Sequence, residues 1–308
     1  MALPPAPPFE PRHGEAVPVA PGVLRVTANN PGPFTGPGTN SYVVEGEAGG
    51  DALAIVDPGP DDAAHYDALM RAVAGRPVAA ILVTHTHVDH SPLARRLSEA
   101  TGAEVLAEGP HRAARPLHEG ERNAMDASAD LDFIPDRRLA DGERVEVGGR
   151  GFTAVHTPGH TANHCAFALD GGPLFAGDHV MAWATTIVAP PDGSMADYMA
   201  SLDALLARQE RGLDALLLPG HGAAVERPRA YVRALKAHRL MRERAVLNRV
   251  RAGDRRIADM VAVIYRTTDR RLHGAAALSV LAQLEGLVER GVVVADGPPS
   301  LDAAFRPA

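Results

Sequence analysis

The chain has 308 residues, of which 45% are hydrophobic and 22% charged, as is typical of a globular protein with an extensive core. Its formal net charge of −7 argues against general nucleic-acid binding, and the single cysteine, Cys165, excludes an internal disulfide and a multi-cysteine zinc finger. No apolar run reaches membrane-spanning length, and the N-terminus lacks the basic start and apolar core of a secretion signal. We therefore expect a cytoplasmic protein without a membrane partner.

The first half of the chain alternates between strands and helices. Residues 1–21 are rich in Pro and Ala and are predicted to form an extended arm. Loop 29–40, crowded with Gly and Pro, either approaches a ligand or is a plain connector. The regular elements predicted here are strands at 24–26, 41–44, 52–56, 78–83 and 104–107 and helices at 61–74 and 93–101. This alternation indicates an α/β sheet with functional loops at strand ends.

A histidine-rich motif directly follows strand 78–83. It places His85, His87, Asp89 and His90 within six positions. Residues two apart on an extended segment face the same side, so His85 and His87 can bind one ion, while Asp89 and His90 can hold a second. Ser91-Pro92 is predicted as the N-cap and first residue of the next helix. A solvated histidine-rich loop is the alternative interpretation of the motif.

Further strand ends offer similar side chains. Strands are predicted at 144–147, 152–155, 165–169, 173–176 and 213–218, with a helix at 197–211. The strand ends supply three more candidate ligands, His160, Asp178 and His221. Imidazole and carboxylate ligands suit zinc, with iron or manganese as alternatives. Seven candidates exceed the need of one tetrahedral ion, so two ions fit better, and two ions favour hydrolysis.

Outside this set, residues 110–138 are predicted to be a surface excursion with solvated His111 and His118. His164 is a candidate pocket residue, while His179 and Trp183 are expected to pack in the core. Surface positions are predicted for His13, His65, His238 and His273.

The C-terminal part changes character after Glu226. Helices are predicted at 229–251, 257–265 and 275–290, followed by a strand and turn at 291–297, an order that resembles a winged-helix module. We therefore divide the chain into an arm (1–21), a catalytic domain (22–225) and a helical C-terminal domain (226–308). Residues 227–273 contain 14 Lys or Arg against 4 Asp or Glu, a surplus of about ten positive charges.

The joint set of motifs resembles the metallo-β-lactamase superfamily, which implies an αββα sandwich over residues 20–225. The resemblance implies that His85, His87 and His160 bind one ion and that Asp89, His90 and His221 bind the other, with Asp178 between them. It also matches Asp57 to an aspartate that supports the ligands by hydrogen bonds. Asp89 and Asp178 are the candidate catalytic residues.

A closer likeness is to the β-lactamase-like protein 2 family. It rests on Asn30-Pro-Gly-Pro-Phe-Thr35, Gly38-Thr-Asn-Ser-Tyr42, Thr157-Pro-Gly-His-Thr161 with His164, Gly177-Asp178 and the C-terminal tail. That likeness implies metal-dependent hydrolysis, with cleavage of single-stranded RNA by animal members and thioesterase activity in fungal relatives. Thr86 and Ser91-Pro92 depart from the family pattern, which implies a different pocket wall.

Three functions remain open at this point. The first is a two-zinc hydrolase that uses a metal-bound hydroxide on phosphodiesters such as single-stranded RNA, since the basic segment 227–273 can attract phosphates. The second is a thioester or lactone hydrolase. The third is a DNA-binding regulator with a vestigial core, against which the intact ligand set argues. Asn40, Tyr42 and His164 are candidate substrate-binding residues. The tail is expected to bind nucleic acid, to cap the active site or to form a homodimer.

Overall fold

The computed structural model describes residues 3–47 and 51–308, and its core is built from two β-sheets. The first sheet has seven strands, which lie side by side in chain order. These are β1 to β7: Ala16–Ala20, Val23–Thr27, Asn40–Val44, Leu53–Val56, Val78–Val83, Glu104–Ala107 and Arg137–Arg138. Strands β1 to β4 pair antiparallel with their neighbours, whereas β4 to β7 run parallel. The parallel strands therefore deliver their C-terminal ends to one edge.

The second sheet has five strands in the order β12-β11-β10-β9-β8. They are β8 to β12: Arg144–Val147, Arg150–His156, Cys165–Leu169, Leu174–Gly177 and Leu217–Pro219. Strand β12 pairs parallel with β11, and the other neighbours are antiparallel. The C-terminal ends of β11 and β12 consequently point the same way.

In the described part of the chain, six α-helices and two short 3-10 turns complete the fold. They are α1 to α6: Ala63–Val73, Leu93–Thr101, Met195–Glu210, Pro228–Arg251, Ile257–Ile264 and His273–Glu289. The 3-10 turns are Asp126–Ser128 and Arg270–Leu272, and a C-terminal hairpin consists of β13 (Val293–Ala295) and β14 (Phe305–Pro307). None of the helices in the described ranges combines the length and apolar character needed to cross a bilayer.

Three apolar clusters explain why these elements form layers. Between the sheets, alternate side chains such as Leu82 of β5 and Phe167 of β10 are fully buried. The other face of the first sheet packs on α1 and α2 through residues such as Leu69 and Leu97. The other face of the second sheet packs on α3 and the start of α4. An αββα sandwich is thus confirmed, since each sheet buries both of its faces.

The C-terminal helices have a core of their own. Val246 and Val250, near the end of α4, are buried with residues of α5, α6 and the hairpin β13–β14. Earlier in the same helix, Tyr231, Val232 and Leu235 belong to the cluster under the second sheet. One helix therefore serves both cores, and a domain boundary at residue 226 stays a proposal.

The structure differs from several predicted elements. Residues 16–20 of the expected arm form edge strand β1, because its backbone completes the first sheet beside β2; Met1 and Ala2 lie outside the described residues. The predicted strand at 213–218 shrinks to Leu217–Pro219, and β7 and β14 were not predicted. Short edge strands lack a clear period of apolar residues, which is why their sequences are uninformative.

The start of α2 also differs from expectation. The N-cap position is Pro92, and the helix has no side-chain cap. Ser91 instead donates its hydroxyl to Asp130 Oδ2 at 2.6 Å. This bond ties the excursion at 110–138 to the motif loop, as does the bridge between His87 and Ala129. The excursion therefore covers part of the motif rather than lying free on the surface.

Candidate metal centre

All seven predicted ligands converge at one end of the sandwich. His85, His87, Asp89 and His90 follow β5, and the remaining three come from the second sheet. His160 lies in the β9–β10 loop, Asp178 directly follows β11, and His221 follows β12. Because both sheets end at the same place, residues separated by more than 130 positions become neighbours.

The first group of ligand atoms belongs to His85, His87 and His160. His87 Nδ1 lies 3.1 Å from His85 Nε2 and 3.0 Å from His160 Nε2. Two nitrogens that share a tetrahedral zinc ion are expected to be about 3.3 Å apart, given Zn–N distances of roughly 2.0–2.1 Å. These separations suit a single ion.

The second group belongs to Asp89, His90 and His221. His90 Nε2 lies 3.4 Å from His221 Nε2, and Asp89 Oδ2 lies 3.3 Å from each of these nitrogens. Asp178 stands between the two groups, with Oδ2 3.3 Å from His221 Nε2 and 3.7 Å from His160 Nε2. Its Oδ1 is buried and has no hydrogen-bond partner among the described residues. A cation at this position would satisfy that oxygen.

Four of the histidines are fixed by a bond on the far side of the ring. His160 Nδ1 donates to Ile187 O at 2.6 Å and His221 Nδ1 to Gly38 O at 3.2 Å. His85 Nδ1 lies 3.0 Å from Thr84 Oγ1, and His90 Nδ1 lies 3.0 Å from Asp57 Oδ2. Such bonds leave Nε2 unprotonated and directed at the centre, as metal ligation requires.

Asp57 supports both groups at once. It accepts hydrogen bonds from the Thr84 amide at 2.7 Å and the Thr84 hydroxyl at 2.8 Å. Since the Thr84 hydroxyl gives its proton to Asp57, its oxygen is left to accept from His85 Nδ1. One carboxylate therefore orients His90 directly and His85 through Thr84, consistent with the role implied by the resemblance.

Electrostatics divides the histidines into two kinds. Burial lowers the pKa of His87 to about 3, with His160 adding to the effect, and burial also lowers the pKa of His85 and His160. At His221, burial acts the same way, but Asp178 and Asp89 outweigh it and raise the pKa to about 10. The carboxylates of Asp89 and Asp178 thus stabilise positive charge beside His221. Metal cations would provide that charge when the imidazoles are neutral. The residues present fit such ions.

A cleft of about 390 Å³ opens above the ligands and has largely apolar walls. Its floor contains His87, Asp89, His160, Asp178 and His221. The walls come from loop 29–40, the motif loop, the 110–138 excursion, the chain after β11 and helix α6: Phe34, Thr35, Val88, Ala124, Met125, Ser128, Met181, Ile187, Ala275 and Leu278. Of the residues with described positions, no Lys or Arg lines the cleft.

The predicted substrate-binding residues do not line this cleft. Asn40 and His164 are completely buried and Tyr42 is 3% exposed. Asn40 Nδ2 and the Tyr42 hydroxyl donate to Pro219 O, and the Asp178 amide donates to His164 Nε2 at 3.2 Å. The polar atoms of these three residues instead shape the loops that carry Asp178 and His221, and substrate contact by them stays a prediction.

Other histidine predictions need correction as well. His65, expected at the surface, is 2% exposed and bonded to Ser41 Oγ at 2.8 Å. His111, expected in solvent, lies 3.0 Å from Thr86 Oγ1 and 3.3 Å from Asp192 Oδ2. His179 packs against the Tyr198 ring, as expected. Trp183 is only half-buried and packs against Gly36 and Gly222 beside the site, rather than deep in the core.

Thr39 was not singled out from the sequence. Its hydroxyl donates to Asp89 Oδ2 at 2.7 Å, so loop 29–40 reaches the centre and is more than a connector. Two sequence signals pointed to this loop, its Gly- and Pro-rich composition and the motif Gly38-Thr-Asn-Ser-Tyr42, but neither gave Thr39 a role.

A two-sheet sandwich flanked by helices, with histidines and aspartates gathered at its strand ends, defines a class of hydrolases. A sequence model described as metallo-beta-lactamase superfamily matches residues 34–221, and a model of the beta-lactamase associated winged helix domain matches residues 257–298. Because the first match covers more than half of the chain, the protein belongs to the metallo-beta-lactamase superfamily and is a hydrolase.

Individual relatives agree with this assignment. The chain is 29% identical over 276 residues to a beta-lactamase-like protein 2 homolog from Drosophila melanogaster, covering 87% of this chain and 88% of that protein. It is 28% identical over 262 residues to an atrochrysone carboxyl ACP thioesterase from Aspergillus chevalieri, covering 83% and 74%. A beta-lactamase domain protein from Burkholderia ambifaria superposes with a TM-score of 0.79 at 27% identity, covering 97% and 95%.

Proposed function

We propose that the protein is an acyl thioester hydrolase with a two-zinc centre. The observation that carries this proposal is the cleft above the ligands, whose walls are largely apolar and, among the residues that the structure describes, contain no Lys or Arg. An acyl chain gains free energy on leaving water for such a surface, roughly 25 cal/mol per Å² of apolar area. The relative named as an acyl carrier protein thioesterase supports the same substrate class. Zinc is favoured over iron or manganese because five of the seven ligands are imidazoles.

The seven ligands would hold two zinc ions, which would lower the pKa of a water molecule and act as Lewis acids towards the substrate carbonyl. Other residues of the chain hold the ligand side chains in place. Thr39 holds Asp89 through the bond to Oδ2, and Asp57 fixes the ring planes of His85 and His90. The Asp89 side chain is 19% exposed and that of Asp178 is 8% exposed, so Asp89 is the better placed to take the proton of the attacking water. Delivery of that proton to the leaving thiolate yields an acid and a thiol.

Cleavage of single-stranded RNA is the second candidate, because residues 227–273 are strongly basic. Several of those charges are already paired. Arg229 and Arg233 bind Glu210, and Arg249 binds Asp254. Paired side chains attract phosphates less, and the described lining of the cleft includes no Lys or Arg. These two observations support the thioester ahead of RNA.

The test is a substrate panel with the zinc-loaded protein. We expect turnover of acyl-N-acetylcysteamine thioesters, whereas a single-stranded RNA oligonucleotide and a β-lactam remain intact. His87→Ala should reduce turnover by at least about 100-fold, because it removes a side chain that binds an ion. Loss of a ligand should reduce activity more than loss of a residue that only hydrogen-bonds to a ligand. His118→Ala is the matched control, since His118 is a histidine outside the centre, and it should retain normal turnover. RNA cleavage with no thioester turnover would reverse the order of the two candidates.

A further inference from the structure

A second cavity, of about 250 Å³, adjoins the cleft at the junction with the C-terminal helices. Three residues, Phe34, Ile187 and Ala275, line both spaces, so the cavity and the cleft are direct neighbours. Helix α4 contributes His238, Arg239 and Arg242 to the second cavity. We call it the Arg242 pocket, after the residue that faces α5, and its remaining lining includes Tyr265, Thr268, Ser279 and Gln283.

The Arg242 pocket carries positive charge without a balancing acid. Within residues 3–47 and 51–308, no Asp or Glu lines this pocket. Arg242 contacts the Ile264 carbonyl at 3.5 Å and lies over the Tyr265 ring, whose centroid is 4.8 Å away. Arg239 donates to Thr186 O and lies over the Tyr198 ring. Over residues 3–47 and 51–308, neither arginine forms an ion pair, unlike Arg229, Arg233 and Arg249 of the same helix.

Two nitrogen atoms of neighbouring α4 side chains are also unsatisfied among the described residues. Arg239 is 5% exposed, and its Nε is buried without a hydrogen-bond partner in the described structure, as is His238 Nδ1. Burial, Arg242 and Arg239 together lower the pKa of His238 to about 4. A buried charge without a counterion is costly, and an oxyanion at this position would remove the cost. Three unsatisfied or weakly satisfied nitrogen groups thus point to a ligand with negatively charged oxygens.

We propose that the Arg242 pocket binds an oxyanion, a phosphate or a carboxylate, at one end of the substrate whose reacting bond lies over the metal centre. The proposal rests on the thioester function, and it narrows the substrate class to thioesters with an anionic group. Guanidinium groups bind both kinds of oxyanion through paired N–H donors. The two sources differ in which half of the substrate enters the pocket, because a carboxylate would lie on the acyl chain and a phosphate on the thiol.

Steady-state kinetics tests this assignment with three thioesters of equal acyl length. One is uncharged, one carries a terminal carboxylate on the acyl chain, and one carries a phosphate on the thiol. We expect Arg242→Gln to raise KM about 10-fold for one of the two anionic substrates without changing its kcat. The KM and kcat of the uncharged substrate should stay the same. Arg244→Gln is the matched control, since Arg244 lies on the exposed face of the same helix. Equal behaviour of the two variants would overturn the proposal.

A binding experiment separates the pocket from the reaction. Inorganic phosphate is titrated into the zinc-loaded protein, and the imidazole signal of His238 is followed by NMR, with His238→Gln providing its assignment. We expect phosphate to raise the pKa of His238 in the wild type and in Arg244→Gln but not in Arg242→Gln. If phosphate raises the pKa of His238 as expected but no thioester is hydrolysed, the oxyanion site is supported and the proposed reaction is refuted. No response of His238, together with no dependence of KM on Arg242, would refute the pocket itself.

Discussion

The Asp57 carboxylate links the two halves of the metal centre through His90 and Thr84. Its backbone has φ of 49°, in the left-handed region that non-glycine residues seldom adopt. The three hydrogen bonds that Asp57 accepts hold it there. A strained conformation maintained by several bonds is typical of a position where orientation matters more than local stability.

We therefore expect Asp57→Asn to lower zinc affinity by about 10–100-fold, because an amide cannot accept from both Thr84 and His90 as the carboxylate does. Competition with a chromophoric chelator measures the affinity directly. Asp61→Asn is the control, since Asp61 is an exposed carboxylate only four positions away. Equal zinc affinity in the two variants would contradict the role given to Asp57.

At the residue scale, the sequence predicted which candidate ligands lie together better than it predicted their surroundings. The spacing of His85, His87, Asp89 and His90 reflects a local geometry, which a strand end imposes regardless of the rest of the fold. Exposure of His65 or His111 depends on which distant element packs over them. No local pattern carries that information, and these predictions were wrong.

Among the elements, the turn before His160 depends on a close approach to helix α3. Gly159 has φ of +133°, and a Cβ there would lie 2.4 Å from the backbone nitrogen of Tyr198. The Gly159 amide also donates to Thr161 O at 3.1 Å. The absence of a side chain thus lets α3 pack against the loop that presents His160.

Gly159→Ala should lower the free energy of unfolding by about 3 kcal/mol, since it adds both backbone strain and a clash with α3. Gly212→Ala tests the strain alone, because Gly212 has φ of +79° with no atom near the added Cβ, and about 1 kcal/mol is expected. Urea unfolding with chelator present measures both variants without a contribution from metal. Equal losses would show that the approach of α3 is unimportant.

The predicted elements were most accurate where a periodic apolar run had clear stop signals. Helix α2, closed by Gly102, and strands β5, β6, β8 and β10 have the predicted bounds. Edge strands β1 and β7 were missed because they are held by backbone bonds to a neighbour, and side-chain periodicity is weak when one face is exposed.

On the scale of the whole molecule, α4 joins the catalytic core to the C-terminal core. Its first half packs under the second sheet, and its second half packs with α5 and α6. Arg115, in the 110–138 excursion, forms an ion pair with Glu121 of the same excursion at 2.7 Å. It forms a second ion pair with Glu285 of α6 at 2.8 Å, which connects the excursion to the C-terminal core. Separation of the two cores would break the helix and expose apolar surface on both sides.

We expect a single cooperative unfolding transition, with equal calorimetric and van 't Hoff enthalpies, in metal-free protein. Differential scanning calorimetry with chelator present is the measurement, and the chelator removes any coupling that metal binding adds. Two resolved transitions would instead support independent domains divided near residue 226.

The cleft takes its floor and one of its walls from different parts of the chain. The floor consists of strand-end ligands fixed by the sandwich, while Ala275 and Leu278 stand on α6, which contributes no ligand. Substitutions on that helix face can consequently alter which molecules enter without disturbing how water is activated. Proteins that share this centre are thus free to diverge in their choice of substrate through a few side chains on one helix.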